Sequence, residues 1–222
     1  LVIGLALLLF AILIGMFKLP AMAHAERHGQ KGDSIWKYTH VVLGAVGIFV
    51  YVGAEVSIGS FLINYFAQPD IGNLTPLAAS KLVSYYWGGA MVGRFIGSAI
   101  LQKVKTGTLL GINATAAVLL VCISMLTTGP IAMWSIILVG LFNSIMFPSI
   151  FTLGIAKLGP LTGDGSGLLI MAIVGGAIIP VAQGWIADHI GIHHAFVLPV
   201  ICYAYIVYYG LRGSRPVIPS GA

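Results

Sequence analysis

Glu55 is the one acidic side chain inside the long apolar run of residues 41–66, with 14 residues of that run before it and 11 after it. If the run crosses a membrane, this carboxyl lies near the midplane. A charge there costs about 2.5–3.5 kcal/mol or more, and by default it marks a functional group facing a cavity or a bundle interior. Two amides of the later runs stand out. Asn143 is followed at steps of four by Phe147 and Phe151, and Gln183 comes three residues after Pro180. An amide above aromatic faces suits a ring that carries hydroxyls, because the amide bonds the hydroxyls while the faces cover the C–H patches. The rival role for either amide is an interhelical hydrogen bond, which polar residues in membranes make routinely. Pro148 and Pro180 each free a backbone carbonyl and bend a helix, so both are candidate hinges.

Helical geometry restricts what Glu55 can share. At about 100° per residue, Tyr51, Glu55, Gly59 and Leu62 lie on one face, while Ser57, Ser60 and Asn64 form a second polar stripe roughly 140–200° away. An unbroken helix cannot turn both stripes to one cavity. Gly53 or Gly59 is therefore a candidate site for a break, with Gly59 as a hinge; otherwise one stripe lines a path and the other packs. Tyr51 and Asn64 join Glu55, Asn143 and Gln183 as candidate ligand contacts. Arg94 is the only basic side chain well inside a later run, Lys81 and Lys157 lying at run ends. Counted from the inner helix ends at ~1.5 Å per residue, Glu55 is about 21 Å deep and Arg94 about 9 Å, so a direct pair is not expected. Arg94 either snorkels to the surface or serves a gate there.

These residues need membrane helices to hold them. The 222 residues are 59% apolar and 8% charged, and the mean hydropathy is +1.01, which excludes a soluble domain. Apolar runs at 1–17, 41–66, 79–100, 108–127, 130–157, 163–187 and 195–211 are long enough to cross a ~30 Å hydrocarbon core as helices. Strictly alternating short segments, which a transmembrane barrel needs, are absent. The net charge of +5 follows topology and does not indicate nucleic acid. Nine of the eleven basic residues fall in alternate loops and the tail, Lys18, Lys103 and Arg212 among them. The positive-inside rule then makes those loops and the C-terminus cytoplasmic. His189, His193 and His194 lack the framework of a metal site and read as a solvated loop. Cys122 and Cys202 lie in spans as small apolar side chains. No nucleotide loop, hydrolytic triad or redox pair is present, so neither an enzyme nor a cofactor is expected. The start at Leu1, inside an apolar stretch, reads as a fragment.

The chain also resembles itself. At an offset of 87 residues, positions 45–97 share 14 identities with their partners, without a gap. Val52-Gly53 meets Val139-Gly140, Ser57-Ile58 meets Ser144-Ile145, and Gly88-Gly89-Ala90 meets Gly175-Gly176-Ala177. Each copy holds three spans. Three is odd, so the second copy enters the membrane from the opposite side, as an inverted 3+3 repeat.

Tyr51-Val52-Gly53-Ala54-Glu55-Val56-Ser57-Ile58-Gly59-Ser60-Phe61, Gly140-Leu141-Phe142-Asn143-Ser144-Ile145-Met146-Phe147-Pro148 and Gly175-Gly176-Ala177-Ile178-Ile179-Pro180 resemble the fucose:proton symporter family of the major facilitator superfamily. The closest likeness is to its glucose/galactose permease branch. The resemblance implies an all-α integral membrane fold: the six-helix C-terminal half of such a transporter, 41–211, after one further helix, 1–17. Residues 18–40 would be the cytoplasmic linker between halves and 212–222 a cytoplasmic tail. It also implies a monosaccharide substrate, a coupling cation such as H⁺, an inner-membrane location, and a missing N-terminal half that holds the family's best-known coupling carboxylates. Glu55 is then this half's candidate for proton coupling. The alternative is a half-transporter module that does not transport and pairs with another chain.

Overall fold

The computed structural model describes residues 4–5, 8–10, 12–13 and 34–216. The chain divides into two units, Leu1–Gly32 and Asp33–Ala222. The described residues of the first unit are helical; the rest of the 1–17 span, most of the 18–40 linker and positions 217–222 lie outside the described residues.

The second unit opens on a 3₁₀ turn, Ile35–Lys37, and continues through six long helices. These are α1 Thr39–Phe66, α2 Pro76–Leu101, α3 Thr106–Leu126, α4 Gly129–Gly154, α5 Gly159–Ile190 and α6 Ile192–Gly213. No strand occurs among the described residues. Five of the six are long and apolar enough to cross a membrane. The exception is α2. Its 26 residues give it the length, about 39 Å at the helical rise, but Lys81, Arg94 and its run of Ser, Tyr and Gly lower its hydropathy. Local chemistry starts this helix cleanly: Thr75 Oγ1 accepts from the Ala78 N–H at 3.4 Å and Pro76 takes the first position, where its missing donor costs nothing.

Helix continuity differs from expectation. α1 is a single α-helix through Gly53 and Gly59, because both glycines are used for close packing instead. A Cβ on Gly53 would fall 2.6 Å from Ile179 Cβ, and one on Gly59 would fall 3.2 Å from the Trp87 ring. The interruptions lie in later helices. α4 pauses at Ser144–Ile145, between an α-segment ending at Asn143 and another starting at Met146. Pro148, which has no N–H to give the Ser144 carbonyl, explains the pause. α5 tightens to a 3₁₀ turn over Ala172–Val174 ahead of Pro180, and α6 ends in a π-helix, Tyr209–Gly213.

The packing follows the internal repeat. An offset of 87 exchanges α1 with α4, α2 with α5 and α3 with α6. α1 packs on α5 and α6, α4 packs on α2 and α3, and α3 packs on α6, so the first two pairs map onto the next two and the last maps onto itself. Equivalent glycines make equivalent contacts. Gly53 meets the Gly175 carbonyl across α1 and α5, and its partner Gly140 meets the Tyr86 carbonyl across α4 and α2. In membranes such small residues let backbones approach closely where no hydrophobic force drives association.

Three polar layers cross this apolar frame. At one end the hydroxyls of Tyr205 and Tyr209 donate to the carbonyls of Leu43 and His40, and His40 Nε2 bonds the Ala156 carbonyl at 2.9 Å. At the other end Tyr65 bonds Ser124, Ser124 Oγ donates to the Ala132 carbonyl, and His193 bonds the Ser124 carbonyl 3.7 Å from the Asp70 carboxylate. His193 is thus a structural clamp and not a solvated loop residue. Tyr51, Tyr86 and Tyr203 form the middle layer around Asn143.

Candidate functional site

A cavity of about 520 Å³ opens between α1, α2 and α4. Tyr51 and Glu55 reach it from α1, Arg94, Ser98 and Leu101 from α2, and Ser144, Ile145, Phe147 and Pro148 from α4. Tyr51 and Glu55 are one turn apart, so a continuous α1 turns both the same way. The break in α4 turns Phe147 and Pro148 inward, and the Phe147 ring stacks on Phe151 at 6.3 Å and 17°. Gly93 and Gly97 bring α2 against α4 so closely that a Cβ on Gly93 would meet the Leu141 carbonyl, and one on Gly97 the Ile145 side chain. That approach holds Arg94 and Ser98 at the cavity.

The charges are arranged for an uncharged, hydrogen-bonding ligand. The Glu55 carboxyl is half-buried, the Tyr51 hydroxyl neighbours it, and Arg94 acts on it electrostatically across the cavity. Glu55 and Arg94 line the same cavity from α1 and α2. A carboxyl acceptor, a guanidinium donor, a Ser98 hydroxyl and an aromatic wall together provide hydrogen bonds and a flat apolar face.

Of the residues singled out from sequence, Glu55, Tyr51, Arg94 and Pro148 share this cavity. The others do not. Asn143 is fully buried, and its amide is committed: Nδ2 donates to the Tyr86 hydroxyl and Oδ1 accepts from Tyr203, each at 2.8 Å. Its carbonyl accepts from Tyr51 at 2.9 Å. The expected ligand contact is therefore replaced by a fastener behind the cavity wall. Gln183 is fully buried in α5 away from the cavity, with neither amide atom hydrogen-bonded. Asn64 is exposed nearly three turns beyond Glu55, and Gly59 faces Trp87. Pro180 lies inside α5. Tyr86 and Tyr203 add to the candidates of the sequence, where the only hint is a phenol inside an apolar run. Among the described residues no three His, Cys, Asp or Glu side chains are placed to hold a metal.

A six-helix inverted repeat with a polar cavity at the junction of its copies defines a half of a major facilitator transporter. No family model matches the sequence. The chain is 53% identical over 217 residues to a glucose/galactose transporter of Brucella abortus, covering 97% of this chain and 53% of that protein. It is 42% identical over 220 residues to a putative glucose/galactose transporter of Helicobacter pylori, covering 96% and 54%. To the L-fucose-proton symporter of Escherichia coli it is 32% identical over 211 residues, covering 90% and 47%. The crystal structure of the major facilitator transporter FucP in its outward conformation superposes with a TM-score of 0.81 at 29% identity, over 94% of this chain and 52% of that one. The chain belongs to the major facilitator superfamily, in the family that holds the glucose/galactose transporters and the fucose:proton symporters. It spans about half the length of these relatives.

Proposed function

We propose that this chain is the C-terminal half of a secondary active sugar transporter, with residues 1–17 as the preceding helix and 18–40 as the linker. The transporter carries a monosaccharide such as glucose, galactose or fucose together with H⁺ across the inner membrane. It alternates between outward- and inward-facing states as its two halves rock about a midplane site. A missing N-terminal half supplies the opposite wall of that site, and the loops rich in Lys and Arg, with the C-terminus, face the cytoplasm. The relatives' names support the sugar, and the proton follows from those named symporters. The observation that carries the proposal is the cavity itself, where a carboxyl and a phenol on α1 face an arginine on α2 and an aromatic wall on α4. Glu55 binds the proton and a sugar hydroxyl in turn, Arg94 serves the gate, and Pro148 is the hinge of the α4 wall.

The test is uptake of labelled galactose by the protein as encoded, reconstituted in vesicles with an imposed pH gradient. Glu55→Gln is expected to lose concentrative uptake while keeping sugar exchange between the two sides at zero gradient. Wild-type accumulation by that variant would remove Glu55 from coupling.

A further inference from the structure

We propose that the Tyr51 hydroxyl is a positioning group that ties the protonation state of Glu55 to the break in α4. The proposal rests on Glu55 exchanging a proton, as put forward above. A phenol has one O–H to give and lone pairs to receive with. Here the O–H goes to the Asn143 carbonyl at 2.9 Å, and the Glu55 carboxyl is the hydroxyl's other neighbour. So placed, Tyr51 offers Glu55 only lone pairs. A carboxylic acid can donate to them, whereas a carboxylate, which only accepts, cannot. Loss of the Glu55 proton to the open cavity therefore draws the Tyr51 O–H toward the carboxylate, because a hydrogen bond to an ionised acceptor is the stronger one. Tyr51 keeps its proton throughout and only redirects it.

The carbonyl left behind is the one that ends the first segment of α4, immediately before the Ser144–Ile145 interruption. A buried carbonyl without a donor is costly, more so inside a membrane. The Asn143 side chain cannot serve as a substitute, being held by Tyr86 from α2 and Tyr203 from α6. α4 must then readjust at its break and carry Phe147 and Pro148, two cavity walls, with it. The other groups that act on Glu55 are Arg94 and Tyr86 on α2 and Tyr203 on α6. α4 adds no titratable side chain to the cavity wall. Arg94 is the one cation among them and is exposed; the Tyr203 O–H is given to Asn143 Oδ1, and the Tyr86 hydroxyl accepts from Asn143 Nδ2. Of the three hydroxyls, that of Tyr51 is the one that donates to the carbonyl at the break.

The experiment uses the protein as encoded, with Cys122 and Cys202 replaced by alanine and Phe147→Cys as reporter. Maleimide labelling of the reporter is followed against pH while infrared difference spectra follow the Glu55 carboxylic C=O band, identified by its loss in Glu55→Gln. Labelling is expected to change about 5-fold or more across that titration, the lower end of typical site-to-site coupling. Tyr51→Phe should flatten the change to less than about 2-fold while the carboxyl band still titrates, and Tyr205→Phe, which loses a bond to the Leu43 carbonyl in another polar layer, should leave both intact. pH-dependent labelling that survives in Tyr51→Phe overturns the proposal and leaves Glu55 as the proton site. A wild-type protein with no titrating Glu55 band instead overturns the proton role of Glu55. Should Tyr51→Phe fail to fold, the tyrosine C–O band of the Tyr205→Phe protein decides: it must shift in step with the carboxyl band, and a band that stays still overturns the proposal.

Discussion

Replacing Asn143 by alanine separates a fastener from a ligand contact. The substitution removes both side-chain bonds of a fully buried amide, to Tyr86 and Tyr203, and strands two hydroxyls that are themselves fully buried. Interhelical hydrogen bonds in membranes contribute on average ~0.6 kcal/mol and at most ~1.7 kcal/mol each. Two of them are therefore worth about 1–3 kcal/mol. Leaving the tyrosine hydroxyls unpaired adds on the order of 1 kcal/mol each, since a buried polar group without a partner costs its desolvation. The expected loss is about 3–5 kcal/mol of stability, read from reversible unfolding in mixed micelles. A double-mutant cycle isolates the bond: Tyr86→Phe should cost about 1 kcal/mol less in the Asn143→Ala background than in the wild type. Independent sites add to within ~0.3–0.5 kcal/mol, so a coupling energy below that margin would refute the knot. Loss of sugar affinity with unchanged stability would refute it too, and would restore Asn143 to the ligand role that its sequence context indicates.

Two further outcomes follow from the geometry. Gly140→Ala pushes a Cβ into the Tyr86 carbonyl of α2 and should cost about 1–3 kcal/mol as overpacking. Gly88→Ala, which meets nothing within 4 Å, should be neutral or stabilising by up to ~1 kcal/mol through helix propensity; thermal unfolding in detergent distinguishes the two. Ser98→Cys, in the protein with Cys122 and Cys202 replaced, should react with a charged, membrane-impermeant thiol reagent and be protected by the transported sugar. A cysteine at position 98 that reacts only with apolar reagents would place α2 against lipid and leave the cavity without a water path.

The fold was more legible than the site. Apolar run length and an odd-numbered repeat determine the helices and their inverted order without reference to any contact, which is why α1 to α6 appear within a few residues of their expected bounds. Glu55, Tyr51 and Arg94 were legible because a charge or phenol in hydrocarbon must be explained. Asn143 was legible as important but not in its role: the sequence shows an amide beside aromatics, and only packing shows that the tyrosines of α2 and α6, 57 and 60 residues away, meet it from behind. The break expected at the glycines of α1 is absent, since flexibility looks alike in sequence whether it serves bending or close approach, and Gly53 serves approach. The bend expected at Pro148 is present, because a missing N–H has one consequence in a helix.

The repeat shows where this molecule departs from its own symmetry. Gly53 and Gly140 occupy equivalent positions and do equivalent work against α5 and α2, so the frame alone is satisfied by either copy. The middle layer has no such counterpart. At the offset of 87, Glu55 corresponds to Phe142, Tyr51 to Leu138, Asn143 to Val56, Tyr86 to Ile173 and Tyr203 to Ala116. Pro148 corresponds to Phe61, and α1 accordingly runs unbroken through the register at which α4 pauses. The frame therefore demands neither the carboxyl nor the break. Both occur once, in different copies, and the Tyr51 hydroxyl joins them across the axis that relates those copies. A group that exists only for packing would be expected in both halves of a duplicated frame. This linked pair sits where the frame is asymmetric and where the cavity opens, which is the arrangement needed for a charge on one helix to move the wall on another.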